Sequence, residues 1–214
     1  MENSGSGPLV LLGASYAGSW PLPAVGGRPV VNKGVAGQQS WEMLERFDRD
    51  VVALHPSSVI LWGYINDVFR SPRERMDAAL AKARDSFEQM IIRAKQAGIE
   101  PIVATEVTIR PKDEWGEAIM SWVGWAMGRE GYQDYINGRV GELNAWLREF
   151  ARREALLLLD LEPVLADSTG QRRKGFAKGD GSHITPKGYA ALTAYAVPML
   201  EQHVRRGMSG TGPR

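Results

Sequence analysis

Five short apolar runs, Leu9–Leu12, Pro29–Asn32, Ser57–Trp62, Ile99–Val107 and Leu156–Leu161, constrain the fold more than any other feature of the chain. They mostly lack the polar alternation of a half-buried strand, so they suit strands covered on both faces. Segments of helical period lie between them. In Arg73–Ala97 the residues Met76, Leu80, Ala83, Phe87, Met90, Ile91 and Ala94 recur at spacings of three and four. Ser71-Pro72-Arg73-Glu74 reads as an N-cap, a first-turn proline and a capping-box glutamate, and Gly98 fits the C′ position. Asp134–Arg153 repeats the period, and Pro186–Val204 does so behind the expected cap Thr185, with Pro198 inside it as a source of bending.

Strands that alternate with helices of this length imply βαβ units and a parallel sheet with helices on both faces. The expectation is one three-layer α/β/α domain over residues 8–205, with loose Gly/Ser/Pro-rich ends at 1–7 and 206–214. A chain of 214 residues buries roughly 70% of its extended surface, enough for a core without staples. One stretch breaks the rhythm. Residues 112–133 carry Trp115, Trp122 and Trp125 and exceed an ordinary strand-to-helix connection, so an aromatic-rich insertion or lid over one end of the sheet is expected there.

Composition narrows the chemistry. With 26 basic and 25 acidic side chains the chain has no overall field to attract nucleic acid, so no nucleic-acid partner is expected. The absence of cysteine removes thiolate catalysis and sulfur-ligated metals, and three histidines leave little for an imidazole-built metal centre. No window approaches 18 uninterrupted apolar residues, so no integral membrane segment is expected. Met1–Ser6 lacks the basic start and apolar run of a signal peptide. The expectation is a soluble protein, cytoplasmic or, after loss of an export signal, periplasmic or secreted.

In an open parallel sheet, ligands gather beyond the carboxyl ends of the strands. Here those ends read Gly13-Ala14-Ser15, Asn32 to Gly37, and Gly63 to Asp67. Asp180-Gly181-Ser182-His183 stands in a polar loop just before the final helix, with an aspartate placed to accept the Nδ1–H of the imidazole and leave Nε2 as a base. His55, before Pro56 at the start of a strand, and His203, near the end of the last helix, have no such neighbour, so His183 is the candidate base. Ser15, directly after the first strand, is the candidate nucleophile, with the Gly37 N–H and the Asn66 amide as donors to an oxyanion. A capping serine and an Asx-turn asparagine are the plain alternatives for Ser15 and Asn66. Asp67 reads as a loop-structuring carboxylate.

Together these blocks resemble the SGNH, or GDSL-like, hydrolases, named for a serine, a glycine, an asparagine and a histidine in four separated blocks. The likeness runs from Leu9 to about Leu200. It implies a flavodoxin-like, mostly parallel five-stranded sheet, no metal and no cofactor. Ser15 would be the nucleophile, Asp180 and His183 would complete a triad, and Gly37 and Asn66 would join the Ser15 amide in the oxyanion hole. The expected activity is hydrolysis of carboxylic esters, acetyl or other short-chain esters among them, on a small-molecule, glycan or lipid substrate. Lysophospholipase, thioesterase or acyltransferase chemistry on the same triad, or a decayed glycan-binding module, are the alternatives. Two departures stand out: Ala14 replaces the usual aspartate before the serine, and Gly63-Tyr64-Ile65-Asn66-Asp67 is one residue longer than the usual block. Arg110, Trp115 and Trp122 are further candidates for substrate contact. Arg172-Arg173-Lys174 with Lys178 reads as a solvated basic loop.

Overall fold

The structure is a computed structural model that describes residues 7–110 and 131–209. Five strands, β1 (Leu9–Gly13), β2 (Val30–Gly34), β3 (Ser58–Trp62), β4 (Glu100–Ala104) and β5 (Leu157–Leu159), form one sheet. All pairings are parallel, in the order β2-β1-β3-β4-β5. Every residue of β1 and β3 is buried, as their unalternating apolar sequences require of strands covered on both faces.

Four short helices, α1 (Ser15–Gly18), α2 (Ser40–Glu45), α3 (Phe47–Asp50) and α4 (Ile65–Phe69), follow the first three strands. Two long helices, α5 (Met76–Gln96) and α6 (Tyr132–Arg153), flank β4 in sequence, and α7 (Glu162–Leu165) and α8 (Pro186–Ser209) close the chain. Helix α5 buries Met76, Leu80, Ala83, Phe87, Met90, Ile91 and Ala94, the stripe its period marks out. Helix α6 buries Ile136, Val140, Leu143, Leu147 and Phe150 in the same way. Each large apolar side chain fully withdrawn from water contributes about 1.5–3 kcal/mol. Helices cover both faces of the sheet, and Leu192, Ala196 and Leu200 of α8 are fully buried within the core.

Two boundaries differ from expectation. Pro72 is extended and Arg73–Arg75 form a 3₁₀ turn, so α5 begins at Met76 with no side-chain cap, and Ser71 does not cap it. A glutamate three residues into a helix does reach back elsewhere: the Glu42 carboxylate accepts the Gln39 N–H at 2.8 Å ahead of α2. Strand β4 ends at Ala104; the Thr105 N–H still donates to the Leu159 carbonyl at 3.1 Å, and past it the amides turn to side chains. The Glu106 N–H donates to Asn144 Oδ1 at 2.9 Å and the Ile109 N–H to Asn137 Oδ1 at 2.8 Å. Gly98 has φ +70°, as its C′ position demands, and the Gly188 N–H donates to Thr185 Oγ1 at 3.1 Å at the head of α8. Residues 111–130, and with them Trp115, Trp122 and most of the aromatic stretch, lie outside the described residues.

Candidate active site

Beyond β1 the chain leaves toward β2, and beyond β3 toward β4, so the sheet has its topological switch between β1 and β3. Ser15 follows β1 at the start of α1, where the first amide groups of a helix have no partner within it. The loops around it pack at backbone distance. A Cβ on Gly34 would lie 2.0 Å from the Gly18 nitrogen, and one on Gly63 would lie 2.9 Å from the Ala14 nitrogen. Glycine at both positions lets the second and third strand ends close on the serine turn.

Arg46 locks two of these loops together. It is 6% exposed, and its guanidinium donates to the Gly13 carbonyl at 3.1 Å, to Gln38 Oε1 at 2.6 Å and to Asp50 Oδ2 at 2.8 Å. The Gln38 carbonyl in turn accepts Asn66 Nδ2 at 2.9 Å. Gly37, with φ +78°, precedes Gln38, and its carbonyl accepts Arg70 Nη1 at 3.1 Å. Asp67 accepts both the N–H (2.9 Å) and the hydroxyl (2.8 Å) of Ser40, which ties α4 to the head of α2. Burial pushes its carboxyl up to about 6 against those two bonds. The structuring role expected for Asp67 is the one its contacts describe.

The fourth loop is a tight turn. Lys178 donates its N–H to the His183 carbonyl at 2.8 Å, and Gly181 takes φ +74° within the turn. Asp180 organises it: Oδ1 accepts the backbone N–H groups of His183 (2.9 Å) and Ser182 (3.0 Å), and Oδ2 lies 2.5 Å from His183 Nδ1. Burial alone would raise the Asp180 carboxyl. The His183 amide, its imidazole and the Ser182 amide outweigh that and bring it down to about 2. The carboxylate is therefore ionised at neutral pH and fixes the imidazole with Nδ1 toward it; no described residue bonds Nε2.

Ser15, Asp180 and His183 line one cavity of about 500 Å³, together with Gly18, Ser19, Gly34, Ala36 and Lys178. Gly37 and Asn66 stand on the adjoining loops, joined through Gln38, and are not among the residues lining it. Another cavity, about 330 Å³ between Lys95 and Leu157, holds none of the candidate nucleophile, base or oxyanion residues. Arg110 braces the fourth loop: its N–H donates to the Gly181 carbonyl at 2.9 Å and its guanidinium to the Arg172 carbonyl at 3.3 Å. His203 Nε2 lies instead 3.0 Å from Glu100 Oε1, and His55 sits in the turn before β3, at the opposite edge of the sheet. Among the described residues no three His, Asp or Glu side chains gather to hold a metal ion, and no helix is long and apolar enough to cross a membrane.

Beneath the turn lies a charged cluster that the sequence reading missed. Arg172 belongs to the basic run expected in solvent, yet it is fully buried; Arg173 and Lys174 are exposed. Its guanidinium donates to the Ser182 carbonyl, to the Tyr16 hydroxyl at 3.2 Å and to the Val107 carbonyl at 3.4 Å. The Tyr16 hydroxyl also donates to the Ser182 carbonyl at 2.7 Å, so the residue after Ser15 holds the residue before His183. Burial pushes that phenol up to about 12. Glu106, 1% exposed, accepts the Tyr64 and Ile65 N–H groups at 3.0 and 3.3 Å and so anchors the lengthened block ahead of Asn66. Burial raises its carboxyl to about 7 against those bonds and the nearby Arg172 charge. A carboxylate inside the apolar run Ile99–Val107 was the available signal for Glu106. No periodicity distinguishes Arg172 from its two exposed neighbours.

The model of the GDSL-like Lipase/Acylhydrolase family matches residues 11–191. Among solved structures, a GDSL-like lipase from Bacteroides thetaiotaomicron VPI-5482 superposes with a TM-score of 0.69 at 21% identity, over 92% of this chain and 89% of that one. A G-D-S-L family protein from Desulfitobacterium hafniense DCB-2 gives 0.68 at 24% identity, over 90% and 99%. A catalytic mutant of an acetylxylan esterase from Geobacillus stearothermophilus gives 0.69 at 16% identity, over 94% and 96%. At these identities the likeness is one of fold. Among curated proteins none matches the chain.

Proposed function

Because the chain belongs to the GDSL-like Lipase/Acylhydrolase family, we propose that it is a serine esterase that releases short-chain carboxylic acids through an acyl-enzyme. Ser15 Oγ attacks the ester carbonyl carbon while His183 Nε2 takes its proton. The carbonyl oxygen becomes an oxyanion that accepts the N–H groups of Ser15 and Gly37 and the Nδ2 of Asn66. As the tetrahedral intermediate collapses, the C–O bond to the alcohol breaks and His183 returns the proton to the leaving oxygen. Water then attacks the acyl-Ser15 ester by the same proton shuttle and frees the acid. Asp180 holds the ring in the required tautomer and stabilises the imidazolium as it forms.

The observation that carries this reading is the common cavity of Ser15, Asp180 and His183, with the carboxylate 2.5 Å from Nδ1. The cavity wall beside the serine is made by Gly18, Gly34 and Ala36, residues small enough to leave room for a short acyl group such as acetyl. Acetyl esters are also the chemistry named for the acetylxylan esterase of like fold. A fluorophosphonate probe, followed by peptide mapping, tests the assignment. The expected result is stoichiometric labelling on Ser15 that is lost in His183→Ala. Labelling on another serine, or none, would end this reading.

A further inference from the structure

The catalytic cavity does not stop at Lys178. A second cavity of about 550 Å³ shares Ser19 and Lys178 with it and continues along the first two turns of α8 between Pro21, Ile184, Pro186, Tyr189 and Ala190. The polar atoms of this wall are largely committed elsewhere. The Tyr189 hydroxyl donates to the Tyr16 carbonyl at 3.0 Å, and Thr193 Oγ1 accepts the indole N–H of Trp20 at 2.9 Å. What the groove presents beyond its Ser19 and Lys178 junction is carbon, and carbon favours an apolar occupant.

The position of the groove relative to the reacting atoms selects which part of a substrate enters it. His183 must return its proton to the leaving oxygen, so that oxygen sits on the imidazole side of the carbonyl carbon. Lys178 and Ile184, which line the groove, flank His183 along the fourth loop. Gly34 and Ala36, on the chain leading to Gly37, line the catalytic cavity but not the groove. We infer that the groove is the leaving-group subsite, and that the preferred substrates are esters of an apolar alcohol carrying a short acyl chain. This rests on the esterase reading above and adds to it the class of alcohol.

The test is kcat/KM for the full chain on two series: acetates of methanol, propanol, butanol, hexanol and octanol, and ethyl esters of acetic to octanoic acid. The expected result is a rise of about fourfold per methylene along the alcohol series until the groove is filled, the equivalent of ~0.8 kcal/mol per buried CH₂. That amounts to roughly sixtyfold from methyl to butyl acetate. The acyl series should stay flat or fall. Ala190 and Ala194 both line the groove, so in Ala190→Trp and Ala194→Trp, which put an indole into it, the octyl-to-methyl ratio should drop at least tenfold. A flat alcohol series, a rise along the acyl series instead, or an unchanged ratio in both variants overturns the inference while methyl acetate is still hydrolysed. Hydrolysis of no ester in either series would overturn the esterase reading as well, and the wild-type series alone decides if the variants do not fold.

Discussion

Asp180 holds both ends of His183: one carboxylate oxygen accepts the histidine's backbone N–H at 2.9 Å and the other lies 2.5 Å from its Nδ1. The three-residue spacing on one turn lets a single side chain fix the main-chain position and the ring tautomer together. The backbone bond structures the loop whatever the protein does; the bond to the ring matters only if Nε2 has work to do.

The substitution Asp180→Asn separates the two roles. The amide oxygen of the introduced asparagine can still accept the backbone N–H groups, but its NH₂ would present a donor to Nδ1 and favour the wrong tautomer. The expected outcome is a fall in kcat of about 10³–10⁴ with little change in KM, in a chain that still folds but with a lower Tm as the carboxylate's stabilising share is lost. An enzyme within a few-fold of wild type would remove Asp180 from the mechanism and leave it a loop residue.

The lengthened block leaves Asn66 with divided duties. Its Nδ2 already donates to the Gln38 carbonyl at 2.9 Å, and only its second hydrogen remains for an oxyanion. Asn66→Ala should lower kcat about 10²–10³-fold while KM changes little, the signature of a donor used only in the transition state. A lower Tm with unchanged kcat would make Asn66 a structural link between two loops.

Glu106 predicts a pH dependence of stability. Its folded carboxyl is raised from 4.5 to about 7 by burial, so between those values the folded chain keeps a proton that the unfolded chain releases. Stability therefore falls as pH rises from about 4.5 to about 7 and levels above that, by an amount on the order of 3 kcal/mol. Glu106→Gln can still accept the Tyr64 and Ile65 N–H groups and should shrink this decline, read as a smaller fall in Tm from pH 5 to pH 8; what remains of the fall belongs to Asp67, whose carboxyl burial raises to about 6. Parallel curves for the two proteins would contradict the assignment. Asp180 acts in the opposite sense: with its folded carboxyl lowered to about 2, its stabilising share is present above about 4 and is lost only as pH falls through 2.

The fold was legible because its signals are local. Unalternating apolar runs at Leu9–Leu12 and Ser57–Trp62 can satisfy their surroundings only as interior strands, and the stripe from Met76 to Ala94 can be buried only as one helix face. The meeting of Ser15, Asp180 and His183 in one cavity was legible because backbone topology brings strand ends and the final loop to one edge. Arg172, Arg46 and Glu106 reach Val107, Gly13 and Tyr64, which lie 65, 33 and 42 residues away, and no window of sequence registers such pairs. The start of α5 was misplaced for a related reason: Ser71-Pro72 has the composition of a cap, but Pro72 is extended and a 3₁₀ turn intervenes.

The central claim is that the Ser15 hydroxyl, in the cavity it shares with His183 and Asp180, is the atom that attacks the ester. Turnover of p-nitrophenyl acetate by Ser15→Ala tests it most directly, with circular dichroism and Tm to show an intact fold. The predicted result is a loss of at least about 10³-fold in kcat, leaving only what oxyanion donors and binding can supply. Turnover equal to wild type in a folded Ser15→Ala protein would contradict the account.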